Sequence, residues 1–261
     1  MGFLNNKKSS AFTVSAFECK RGEFTVRGLE YRPEGENLPV AIVSHGFMLN
    51  HKSVRKYAEA LAKKGYVAYC YDFCGGSMFK NKSDGVSTQM SVLTEVSDLE
   101  AVISYAQSRE YAGSELLLMG CSQGGFVSAL TAAKHPELVS RLVLFYPALC
   151  IPDDARAGNM IFAKFDPKNI PEVVNCGLMK LGRCYPEAVL EMDSIEAIKS
   201  YAGPVMILHG TKDKIVNHSY SERAQKAYPN AVLHLIENAP HGFKRKSDEI
   251  AFGYLNEFAA K

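Results

Sequence analysis

What this chain lacks narrows its function before any motif is read. No apolar run approaches the roughly 18 residues that a membrane-crossing helix needs, so no span is expected. Met1 to Ser10 carries Lys7 and Lys8 but no apolar signal core, which points to a cytoplasmic protein. Neither sign of charge prevails: 30 Lys and Arg stand against 28 Asp and Glu, and a net charge of +2 argues against nucleic acid or a polyanionic substrate as partner. The cysteines, at 19, 70, 74, 121, 150, 176 and 184, include no C-x-x-C pair, so reduced buried thiols are expected in place of disulfides or zinc. Internal repeats and low-complexity tracts are absent too. What remains is 261 residues, 47% hydrophobic, enough for one globular unit with a large core whose activity must reside in a local site.

Apolar strand patterns alternate with helical ones, the signature of a mostly parallel sheet covered on both faces. The opening differs: Ala11 to Cys19 and Phe24 to Tyr31 flank Arg21-Gly22-Glu23 as a hairpin, so the sheet begins antiparallel. Strands follow at Val40 to Ser44, Val67 to Tyr71, Leu116 to Met119, Leu142 to Tyr146, Val205 to Leu208 and Val232 to Ile236. Helices are expected over Val54 to Lys64, closed by Gly65, then Val92 to Ser108, Gly124 to Lys134, Ser219 to Tyr228 and Ser247 to Ala259. Between Pro147 and Pro204 the rhythm lapses for far longer than an ordinary connection, which indicates an inserted element. Residues 148–203 are read as a cap over the strand ends, and 1–147 with 204–261 as the core. The apolar cap residues Met160, Ile161, Phe162, Phe165, Met179 and Tyr185 either line an acyl or aromatic pocket or pack the cap onto the body.

Gly120-Cys121-Ser122-Gln123-Gly124 joins the strand Leu116 to Met119 directly to a helix rich in small residues. A serine held at so tight a strand-to-helix turn needs nearly side-chain-free neighbours two residues away on either side, and glycines stand at both. Downstream, Asp213 and His241 lie in loops after late strands, giving the chain order Ser, Asp, His. A serine hydroxyl is a poor nucleophile at neutral pH. It needs His241 to take its proton, and His241 needs Asp213 to fix its tautomer and stabilise the imidazolium. Backbone N–H groups of Phe47, after the sharp His45-Gly46 bend, and of Gln123, at the helix start, are the expected oxyanion donors. An isolated loop histidine is usually a surface or capping residue, and His51, His135, His218 and His234 are read that way. Asp72, the rival acid, precedes the serine and more plausibly organises its own loop, and Asp98 is open to the reading of a helix-initiating or turn carboxylate.

The segments Ser44-His45-Gly46-Phe47, Gly120 to Gly125, His209-Gly210-Thr211-Lys212-Asp213 and Leu233 to Glu237 with His241-Gly242-Phe243 resemble bacterial α/β-hydrolase serine esterases, in particular cinnamoyl or feruloyl esterases. The resemblance spans nearly the whole chain and reaches into the insertion at Phe165-Asp166-Pro167, Leu181-Gly182 and Tyr185. It implies the α/β-hydrolase fold, an α/β architecture with a mostly parallel eight-stranded sheet, helices on both faces and a small inserted cap. It implies hydrolysis of a small-molecule carboxylic ester through an acyl-enzyme, with no metal or cofactor. Substrate contacts in that group come from an acid and an amide early in the insertion. Asp154 matches the acid, whereas Ile161 stands where the amide is expected. The loop Cys74-Gly75-Gly76-Ser77 also departs from the Asn-Gly-His-Gly of the group, so a hydroxycinnamoyl ester and a simpler small ester both remain open. A monoacylglycerol or lysophospholipid lipase is the second hydrolase reading, and a binding protein that has lost turnover the reading from another class. A homodimer is left open.

Overall fold

The chain enters its main sheet as a hairpin because Gly22, at φ +58°, supplies the left-handed residue of a two-residue turn. The computed structural model describes residues 12–78 and 82–260. The expected hairpin start at Ala11 and the N-terminal stretch Met1 to Ser10 lie outside the described residues. The first strands are β1 (Thr13–Arg21) and β2 (Phe24–Arg32), followed by β3 (Leu38–Ser44), helix α1 (His51–Ala62) and β4 (Val67–Asp72). After a 3₁₀ turn at Ser87–Gln89 come α2 (Val92–Gln107), β5 (Ala112–Cys121), α3 (Gln123–Lys134) and β6 (Arg141–Phe145). Helix α1 starts three residues before the expected Val54, because the Asn50 side chain accepts the Lys52 N–H and caps it there.

Between β6 and the next long strand the chain forms α4 (Ile151–Arg156), a hairpin of β7 (Asn159–Met160) and β8 (Ala163–Lys164), a second hairpin of β9 (Val173–Cys176) and β10 (Met179–Gly182), and the short helices α5 (Cys184–Glu187) and α6 (Ser194–Ile198). Strands of two to four residues carry too little alternation to be seen in sequence. The chain closes with β11 (Val205–Gly210), α7 (Ser219–Ala227), β12 (Ala231–Ile236) and α8 (Lys246–Phe258).

Eight strands form one sheet in the order β1-β2-β4-β3-β5-β6-β11-β12. The β1-β2 and β2-β4 pairs are antiparallel, and the other five pairings are parallel. The parallel strands read as unbroken apolar runs because both faces are covered. On β3, Val40 and Ile42 join a core shared with α2 and α3, whereas Ala41 and Val43 join the core under α1 and α8. Six cysteines are buried free thiols, and Cys184 departs from the expectation by being exposed. Two polar assignments are corrected. His51 is 2% exposed and no surface residue: its ring Nδ1 and its backbone N–H both meet Asp72 Oδ1, at 2.6 and 2.7 Å. Asp98 belongs to no loop but lies within α2, fully buried, 2.5 Å from Arg21 Nε. No helix among the described residues is long and apolar enough to cross a membrane.

Candidate active site

Ser122 sits between the end of β5 and the start of α3 with φ +54° and ψ −120°, a region that costs a non-glycine residue about 1–3 kcal/mol. The turn closes only because its neighbours lack side chains: a Cβ on Gly120 would stand 2.0 Å from Gly124 O, and one on Gly124 would stand 2.3 Å from His45 O. The Ser122 N–H donates to Phe145 O on the adjacent strand at 2.9 Å, and the Ser122 carbonyl accepts from Ala148 N–H at 3.0 Å. Strand β6 therefore holds the strained turn from outside.

The three residues expected from their chain order converge. Ser122 Oγ lies 3.0 Å from His241 Nε2, and His241 Nδ1 lies 2.7 Å from Asp213 Oδ2. A carboxylate only accepts, so the His241 proton sits on Nδ1 and leaves Nε2 free to accept from the Ser122 hydroxyl. The Tyr146 ring meets the imidazole edge-on at 4.8 Å and is braced in turn by Phe243 at 4.9 Å, which limits rotation of the histidine.

Asp213 is more elaborately held than its sequence suggested. Oδ1 accepts the backbone N–H groups of Ile215 and Val216 at 2.8 and 2.9 Å, while Oδ2 takes His241 and also His209 Nε2 at 3.1 Å. Burial disfavours the charged form, but these donors outweigh it and hold the carboxyl well below the usual carboxylate range. His209, fully buried at the end of β11, was not singled out from the sequence. Its Nε2 faces two acceptors, Asp213 Oδ2 and Val216 O, and so carries the proton; its Nδ1 accepts from Ser221 Oγ at 2.7 Å. The available signal was a histidine ending a buried strand four residues before the acid.

The loop after β3 bends for a reason beyond its glycine. His45 is 1% exposed, with Nδ1 2.8 Å from Gly46 O and Nε2 accepting from Phe73 N–H at 3.1 Å. Burial lowers its affinity for a second proton, so a neutral imidazole pins the bend from both sides. This loop brings Phe47 to the site. Phe47, Gln123, Asp154 and Ile161 all line one cavity of about 330 Å³ with Ser122, alongside Cys150, Phe162, Lys214 and Ile215. Larger hollows around Arg32 and Arg109 and along Leu235 to Lys246 contain none of these groups.

Within the cavity wall, burial and the neighbouring Asp153 push the half-buried Asp154 carboxyl up from its ordinary value. Ile161, at φ +53° in the β7–β8 turn, is a β-branched residue in a left-handed conformation, an outlier of the kind that collects at ligand sites. Among the described residues no cluster of His, Cys, Asp and Glu could hold a metal ion.

Residues 26–261 match the dienelactone hydrolase family. Among solved structures the chain is similar to Est1E from Butyrivibrio proteoclasticus with ferulic acid bound, at 26% identity over 93% of this chain and 97% of that one, TM-score 0.86. It is also similar to the esterase Pf2001 of Pyrococcus furiosus, at 21% identity over 95% and 91%, TM-score 0.70. A third likeness is to alpha/beta hydrolase domain-containing protein 10 from mouse, at 18% identity over 93% and 97%, TM-score 0.71. With its fold, its strained serine turn and a match running from the second strand to the last residue, the chain belongs to the dienelactone hydrolase family of α/β-hydrolases.

Proposed function

We propose that this protein is a serine esterase that cleaves small carboxylic esters through an acyl-enzyme. The observation that carries this reading is the unbroken contact from Ser122 Oγ through His241 to Asp213, at 3.0 and 2.7 Å, beside a cavity. In the proposed reaction Ser122 Oγ bonds to the ester carbonyl carbon as its proton passes to His241 Nε2. The Phe47 and Gln123 backbone N–H groups receive the charge that develops on the carbonyl oxygen, typically worth about 2.7–4 kcal/mol per donor. His241 then protonates the leaving alcohol as the C–O bond breaks. Water, deprotonated by the same histidine, releases the acid and restores the serine.

An aryl or hydroxycinnamoyl acyl group is the substrate class that the cavity favours. Its volume suits one aromatic ring and a short chain, and Asp154 offers the only carboxyl among its lining residues to a ring hydroxyl. Est1E, the similar structure that carries ferulic acid, supports this choice. One observation favours a second reading, an acylglycerol or lysophospholipid lipase: large apolar side chains line the cavity and stay exposed, with Phe162 73%, Ile215 60% and Ile161 43% exposed. The test is hydrolysis of methyl ferulate, p-nitrophenyl acetate and long-chain p-nitrophenyl esters by wild type and Ser122→Ala. Preference for ferulate with activity lost in the variant supports the first reading, and preference for long chains supports the second. Equal rates in both proteins would refute both.

A further inference from the structure

We infer that Glu95 is a positioning residue for ester hydrolysis, holding the oxyanion donor Gln123 in place through a buried hydrogen-bond chain that ends on Tyr185 of the insertion. The inference rests on the reading of Ser122 as nucleophile.

Gln123 is 1% exposed, so its side chain has to find partners inside the protein. It finds two, on elements far apart in the chain. Its Nε2 donates to Glu95 Oε2 on α2 at 2.6 Å, and its Oε1 accepts from the hydroxyl of Tyr185 on α5. Each link has a fixed direction: a phenol donates, the amide oxygen accepts, the amide nitrogen donates and the carboxyl oxygen accepts. The amide therefore has one orientation, and with it the first residue of α3, whose backbone N–H is the proposed oxyanion donor. The Tyr185 ring also packs against Phe47 at 6.0 Å between centroids, so one insertion residue touches both proposed oxyanion donors. Tyr185 is itself 1% exposed.

The remaining carboxyl oxygen of Glu95 has no hydrogen-bond partner among the described residues. It lies beside the Gly76 backbone, where a Cβ would stand 3.1 Å away. Burial, with Asp98 one turn along α2, pushes this carboxyl well above its ordinary value. In the proposed arrangement Glu95 is an uncharged acceptor set behind the anion site, where a carboxylate would oppose the charge that the reaction develops. An amide has the same shape and acceptor, so glutamine should serve in its place.

The experiment compares Glu95→Ala, Glu95→Gln, Tyr185→Phe and the double variant Glu95→Ala/Tyr185→Phe on p-nitrophenyl acetate, with thermal melting as a check on folding. Glu95→Ala is expected to lose about 10–100-fold in kcat, the scale of a small misplacement at a reacting group, with KM changed less than about threefold. Affinity for a trifluoromethyl ketone, which forms an oxyanion adduct with the serine, should fall by the same factor as kcat/KM. Glu95→Gln should keep kcat within about threefold of wild type. Tyr185→Phe keeps the ring and loses only the hydroxyl, so it tests the chain even where Glu95→Ala folds poorly, and it should lower kcat in the same manner. Because both act through Gln123, the double variant should be little worse than the slower single one. An unchanged kcat in folded Glu95→Ala or in Tyr185→Phe, a Glu95→Gln protein as slow as Glu95→Ala, or losses that multiply in the double variant would each overturn the inference. Failure of a fluorophosphonate to label Ser122 in wild type would instead overturn the serine reading beneath it.

Discussion

Replacing Asp213 by asparagine should disable the proposed triad without removing a single heavy-atom position, and the surroundings dictate how. Oδ1 of Asp213 accepts two backbone N–H groups, from Ile215 and Val216, at 2.8 and 2.9 Å. An asparagine must place its carbonyl oxygen there, because its amide nitrogen would face two donors. The NH₂ group is then forced to the Oδ2 side, against His241 Nδ1 and His209 Nε2. His241 can accept from that NH₂ only by moving its own proton to Nε2, where it points at Ser122 Oγ and can no longer take the serine proton. A wrong tautomer in a triad of this kind lowers kcat about 10⁴-fold. At about 1.36 kcal/mol per decade that is about 5.5 kcal/mol of barrier. Steady-state hydrolysis of p-nitrophenyl acetate should show the loss in kcat with KM nearly constant, and ¹⁵N NMR of the imidazole should show the proton on Nε2 in the variant and on Nδ1 in wild type. A loss below tenfold, or one confined to KM, would refute the reasoning.

Other consequences are as direct. His209→Phe keeps a ring but strips Asp213 and Ser221 of a partner; at about 2 kcal/mol for unsatisfied buried groups, the melting temperature should drop by about 4–8 °C, measurable by calorimetry. Asp98 is raised by burial, against the pull of Arg21, up to about 6. The native state therefore holds its proton through the interval from about pH 4 to 6 in which the unfolded chain has released it, and stability falls as pH rises across that window. Urea unfolding at pH 4 and 7 should show Asp98→Asn gaining about 3 kcal/mol on wild type between the two, and parallel profiles would contradict the assignment. Phe162→Ser should leave acetate ester hydrolysis unchanged, because the side chain is 73% exposed at the rim, and should lower turnover of long-chain esters if the apolar rim takes the acyl tail.

The parts of this molecule that were legible in its sequence are those enforced locally. A parallel strand buried on both faces, such as Val40 to Ser44, has to be continuously apolar, and a serine turn as tight as that at Ser122 has to be flanked by glycines. Chain order then singles out Asp213 and His241, because their loops follow late strands. What escaped was set by contacts distant in sequence. His51 looks like a surface or capping histidine until α1 and β4 meet and Asp72 faces it; Asp98 looks like a helix-initiating or turn carboxylate until α2 carries it inward to Arg21. His209 and Glu95 likewise have meaning only through partners, the one four residues away across a loop, the other 28 away on a neighbouring helix. The stretch between β6 and β11 stands out in sequence as a break in rhythm, but its two hairpins are too short to announce themselves.

If Ser122 carries the acyl group, mass spectrometry of the protein treated with a fluorophosphonate will show it. One adduct is expected, mapped to Ser122, with ester hydrolysis lost in proportion to labelling and neither adduct nor activity in Ser122→Ala. An adduct on another residue, or hydrolysis that persists in Ser122→Ala, would contradict it.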